Sequence, residues 1–211
     1  STLLGQAVRN QVEKASDRNQ IRNGKETLQR DEAELAAFNA DRMALRDAIA
    51  NRNWQQSGAI HQRLVNSMAR EIAQSEAKLQ QANREVSSSR SELRSARREI
   101  RDNRATNARP GVRADDQHDR RDDRRDLADD KDDRREARVR LDRQRQILGT
   151  YRAIRIDGRR DLADLSAKAN LIEEFERSMR ADLNETREEL GEDRRELRED
   201  RRETREDRRQ R

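Results

Sequence analysis

Apolar residues recur along this chain at alternating intervals of three and four. The clearest stretch runs Val65, Met68, Ile72, Ser75, Leu79, Ala82, Val86, Ser89, Leu93, Ala96, Ile100 without a slip. That spacing predicts a coiled-coil helix. One column of this seam is large: Val65, Ile72, Leu79, Val86, Leu93 and Ile100. The other column is mostly Ser and Ala, a combination that lets a facing helix approach closely. Upstream, Ile21, Leu28, Leu35, Phe38, Leu45 and Ile49 share a second heptad frame, with the turn dipeptide Asn23-Gly24 inside it. A break or kink is expected at Gly24. Downstream, Leu162, Leu165, Ala169, Ile172, Met179, Leu183, Leu190 and Leu197 form another frame. Leu127, Leu141 and Leu148 form the weakest, with Arg134 where an apolar residue should stand.

The strongest turn signals are Ser57-Gly58, Pro110-Gly111 and Asp157-Gly158, and they divide the chain into four near-equal quarters. Each quarter, if helical, would be ~75 Å long at ~1.5 Å per residue. The expected fold is therefore all-α: a single elongated domain over 1–211, with helices near 2–56, 59–105, 115–157 and 159–211 in an up-down-up-down bundle. Folding the quarters together gathers Phe38, Leu45, Ile49, Trp54, Ile60, Leu64, Ile147, Leu148, Tyr151 and Leu165 towards one end as an apolar head. Residues 90–135 and the tail 190–211 would form a charged stalk.

Composition sharpens this picture. Only 34 of the 211 residues are Leu, Ile, Val or Phe, while 44% are charged and 2% aromatic. So little apolar material excludes a thick core, but long helices need only a thin seam. One proline and seven glycines argue against a loop-rich or β-rich chain. Cysteine is absent, which removes disulfide and thiol chemistry. No apolar run approaches the ~20 residues that cross a bilayer. A start at Ser1 and the lack of cysteine set the expectation of an exported, periplasmic or secreted protein.

Charge is ordered as well as abundant. The tail repeats a seven-residue unit, Leu190-Gly-Glu-Asp-Arg-Arg-Glu196 and then Leu197-Arg-Glu-Asp-Arg-Arg-Glu203. With Leu190 and Leu197 at position a, Arg194, Arg201 and Arg208 fall at e, and Glu189, Glu196 and Glu203 at g. One half of the helix is then arginine and the other half carboxylate. Residues 119–138 follow nearly the same rule around Leu127, and residues 90–104 follow it more loosely. Many i,i+4 neighbours are like-charged, such as Arg194 with Arg198, which disfavours an isolated helix. Basic e and acidic g columns attract across a parallel pair and repel across an antiparallel one. Either the helices rotate so that unlike faces meet, or partner chains supply the match.

Candidate chemistry is sparse. His61 lies on the seam of the second helix and reads as structural. His118, with Asp115 and Asp122 at helical spacing, is a weak set of metal ligands. Ten aspartates lie between Asp115 and Asp133, but the calcium-loop pattern is missing and arginines interleave them. No phosphate-binding glycine loop, catalytic triad or buried carboxylate pair can be placed, so the chain is expected to be no enzyme, with no cofactor and no small-molecule substrate. The primary expectation is a structural, self-assembling protein, a homo-oligomer or filament joined through charged helix faces. Two alternatives stand beside it. One is an exported chaperone-like stress protein with an apolar cleft around Trp54 and Tyr151. The other is a nucleic-acid organiser, disfavoured by a net charge of only +5 and by acidic faces behind every basic one.

Overall fold

The computed structural model describes the backbone of residues 3–105, 110–154 and 162–209, and the side chains of 19, 21–98, 100–102, 120–154, 164–195, 197–198 and 202. The described residues form an all-α fold of four helices: α1 (Leu3–Ala50), α2 (Trp54–Ala105), α3 (Pro110–Ala153) and α4 (Leu162–Arg209).

α1 does not break at Gly24. The helix is continuous, and a Cβ placed on Gly24 would lie 3.1 Å from Leu190 Cδ1 of α4. The glycine is therefore a point of close approach between two helices, and the heptad frame around it absorbs its low helix propensity.

The first turn falls at Asn51–Asn53, ahead of the expected Ser57-Gly58, which lies inside α2. Arg52 takes a left-handed conformation with φ 55°. Its N–H donates to the Ile49 carbonyl at 3.0 Å, and Asn53 N–H donates to Ala48 at 2.8 Å. This is a Schellman closure of α1. Asn53 then caps α2, its Oδ1 accepting from Gln56 N–H at 3.1 Å while its Nδ2 donates to Gln56 Oε1 at 2.9 Å. Ser57 is consumed by the new helix, its hydroxyl donating to the Trp54 carbonyl at 2.9 Å. At the next junction Pro110 is the first residue of α3, where its missing N–H is harmless and its fixed φ suits a helix start. The Asp157-Gly158 signal lies outside the described residues.

The packing divides into two compact units. The first comprises Ser1–Ser67 and Arg155–Arg211 and is built on α1 and α4 with the opening turns of α2. The second, Met68–Ile154, is the α2–α3 hairpin.

In the first unit α1 and α4 run antiparallel, with contacts from Gly24–Leu190 through Glu32–Arg187 to Phe38–Phe175. The two phenylalanine rings sit 5.8 Å apart and tilted by 31°, fully enclosed, with Leu45, Ile172 and Met179 also buried. This aromatic pair is the bulkiest part of the α1–α4 seam. Ile60, Leu64 and Val65 of α2 are buried as well.

In the second unit Ser89 faces Asp130 and Glu76 faces Arg145, so α2 and α3 are antiparallel. Val86, Leu93 and Leu127 form a common apolar cluster. Ile72 and Ile100 are also buried and Leu79 is half-buried. Asp123, Leu127, Asp130, Arg134, Ala137, Leu141, Gln144, Leu148 and Tyr151 of α3, spaced by alternating three and four, are all buried or half-buried. The α3 stripe is thus longer than its leucines, and polar residues occupy several of its positions.

Candidate functional site

Little apolar surface is left over. Among the described residues, the large hydrophobic side chains classed as exposed are Met43 at 42% and Val139 at 64%, and they stand singly. Scattered residues of this kind are ordinary. Tyr151 is fully enclosed instead of lining a cleft, and burial pushes its hydroxyl pKa up. Trp54 is half-buried. No described helix is long and apolar enough to cross a membrane.

Two polar groupings are built into the first unit. Glu176 of α4 is buried; its carboxylate accepts a hydrogen bond from Arg180, one turn along, at 2.6 Å and forms an ion pair with Arg42 of α1 at 3.2 Å. With its amide nitrogen turned towards the carboxylate, Asn39 also donates to both oxygens at 2.9 Å. Two cations and an amide thus compensate the desolvation of this carboxylate.

The other grouping brings His61 of α2 against Lys168 of α4, with Nδ1 and Nζ 3.3 Å apart. An ammonium can only donate, so the contact assigns the ring proton to Nε2. Burial, reinforced by the Lys168 charge, pushes His61 down to about 4. Burial also lowers Lys168 to about 8, against the opposing pull of Asp164. His61 accordingly sits in the fold as a neutral hydrogen-bond acceptor. Lys168 takes the seam position that the apolar frame assigned to Ala169, which is exposed. Lysine on the core face has no apolar signature, so neither the spacing nor the composition pointed to it.

Of the residues expected to mediate self-association, Leu190 is buried under α1 at Gly24 and Leu197 is half-buried. Arg194 and Glu189 are exposed. The side chains of Glu196, Arg201, Glu203 and Arg208 lie outside the described residues. Just upstream, α4 is already tied to α1 by Arg187–Glu32 at 2.8 Å and by Thr186 Oγ1 to Asp31 at 3.4 Å. The start of the charged tail is therefore anchored within the chain. For the metal candidate, Asp122 pairs with Arg125 at 3.5 Å, while the side chains of Asp115 and His118 lie outside the described residues. Among those described, no cluster of three metal-ligating side chains occurs.

What the surface offers is ordered charge. On α3, Arg121, Arg124, Lys131, Arg135 and Arg138 are exposed, as are Asp126, Asp129 and Asp133. On α2, Arg90, Arg94, Arg97, Arg98 and Arg101 are exposed. Comparison with protein-family models, with curated proteins and with solved structures finds no match to this chain.

Proposed function

We propose that this chain is a structural, non-enzymatic protein that assembles with copies of itself through the charged faces of its helices. One observation carries the reading: the large apolar side chains of the described residues, Met43 and Val139 apart, are at least half-covered inside the two units, while long rows of arginine and aspartate remain at the surface. A protein that binds by burying apolar area keeps a contiguous apolar patch in reserve, and the two exposed hydrophobic side chains do not form one.

Charge contacts of this kind are individually weak, about 0–1 kcal/mol each at an exposed site. An array of them is needed, and the heptad repetition of the charges supplies one. Such an interface is specific by sign and register, and salt screens it. The test is the mass of the full chain in solution as ionic strength rises. Large species at low salt that dissociate at high salt support the reading, and a monomer at every ionic strength removes it.

A further inference from the structure

The α2–α3 hairpin carries charges that antiparallel pairing sorts by sign. Two contacts fix the register: Ser89 with Asp130, and Glu76 with Arg145 at 2.7 Å. With Val86 and Leu127 at heptad position a, Ser89 and Asp130 both fall at d, and Glu76 and Arg145 both fall at e. Antiparallel helices set e beside e along one edge and g beside g along the other.

Stepping seven residues up α2 and down α3 from Glu76–Arg145 brings Asn83 level with Arg138, Arg90 with Lys131, and Arg97 with Arg124. That edge is basic. On the opposite edge Glu85 falls level with Asp133 and Glu92 with Asp126, and that edge is acidic over this stretch, giving way to Lys78 level with Arg140 one heptad further along. All of these side chains are exposed except the half-buried Lys78 and Arg140 and where Glu76 and Arg145 meet, and even Arg145 reaches solvent. Same-sign neighbours oppose the hairpin's own closure. The favourable partner for each edge is the other edge.

We propose that the α2–α3 hairpin docks edge to edge on a second copy of this chain, Arg90, Arg97, Arg124 and Lys131 seating against Glu85, Glu92 and Asp126. The levels match under a simple sideways shift. Along α2, Glu92 lies between Arg90 and Arg97, so two copies pointing the same way interleave arginine with carboxylate. Because the two edges differ, the contact is heterologous. Each added copy presents a fresh edge of each sign, and growth continues as an open row unless a rotation closes it into a ring. This inference rests on the assembly reading and names the surface it would use.

Two variants of the full chain test it. R90E/R97E/R124E/K131E gives a hairpin with two acidic edges, and E85R/E92R/D126R gives one with a basic face on both sides. The first reversal keeps same-sign neighbours on its altered edge, the second does so where positions 92 and 126 meet, and both leave the apolar seam untouched; circular dichroism checks that the helices persist. In light scattering at low salt, each variant alone is expected to associate at least about tenfold more weakly than the parent. Equal mixing of the two should restore assembly, because an acidic-edged copy complements a basic-edged one. Unchanged assembly of either variant overturns the edge assignment while leaving the assembly reading standing. Loss in both variants without rescue on mixing also overturns it. A parent that never associates removes both readings. A variant that unfolds is replaced by its glutamine counterpart, for which weakened assembly is expected and unchanged assembly overturns the proposal. If the parent's basic edge instead retards duplex DNA at physiological salt and its reversal leaves self-association intact, the edge belongs to nucleic acid and the proposal fails.

Discussion

Gly24 and Leu190 meet between α1 and α4, and each residue explains the other. A side chain at position 24 must displace the end of Leu190, which is buried. Gly24→Leu is expected to destabilise the first unit by about 1–3 kcal/mol through overpacking. Adding Leu190→Ala should return part of that loss. Urea unfolding of the two variants and their combination measures the coupling, and simple additivity would show that the residues do not share the site. Arg52 is the complementary case. A left-handed arginine carries a backbone cost of about 1–2 kcal/mol that glycine avoids, so Arg52→Gly should raise the melting temperature. A fall would mean that the arginine side chain supplies more than its conformation costs. The His61–Lys168 contact sets a pH dependence. His61 titrates near 4 in the fold and near its ordinary 6.5 when unfolded. The unfolded chain therefore binds the proton first, and stability declines as pH falls from about 6.5 to about 4, then levels. Lys168, lowered to about 8, acts at the other end: stability rises from about 8 to its unfolded value near 10.5, as the folded chain sheds a proton the unfolded chain keeps. His61→Gln keeps an acceptor for Lys168 and should flatten the acid decline relative to the parent. Melting curves of the two that stay parallel from pH 4 to 7 would refute the assignment.

At the scale of elements, the four helices and the α2 seam were legible because heptad spacing is a direct image of one buried face. Val65, Ile72, Val86, Leu93 and Ile100 are buried where that spacing places them. The ends of the helices were harder to read. Asn51-Arg52-Asn53 holds neither glycine nor proline, and its turn is made by hydrogen bonds of Asn53 and by an arginine in a conformation that favours glycine. Gly24 and Gly58, by contrast, look like punctuation and are helix interior. The polar half of the seams was equally hidden. Lys168, Glu176 and Ser89 are buried, and each depends on partners from another helix or another turn, which a one-dimensional pattern of apolar residues does not record. Ser89 shows the consequence. Its hydroxyl reaches the Glu85 carbonyl at 3.2 Å and also the Asp130 carboxylate, and its single proton serves one of them at a time. Polar seam positions of this sort cost stability and fix register.

At the scale of the molecule, the arginines and aspartates are what remains after the seams are filled. The candidate site was legible in kind, since repeated heptads of opposed charge stand out in the sequence, but not in place. Leu190, placed among the self-association residues of the tail, is tied to α1. Residues 90–104 and 119–138, read as two of three similar charged segments, acquire a basic and an acidic edge only once the antiparallel register of α2 and α3 is known. The central claim is that these faces join one copy to another. Light scattering coupled to size exclusion on the full 24.8 kDa chain, from about 0.01 M to about 1 M salt, tests it most directly, because the screening length falls from about 30 Å to about 3 Å across that range. The account predicts masses well above one chain at the low end that fall to the smallest species at the high end. A mass of one chain throughout would contradict it.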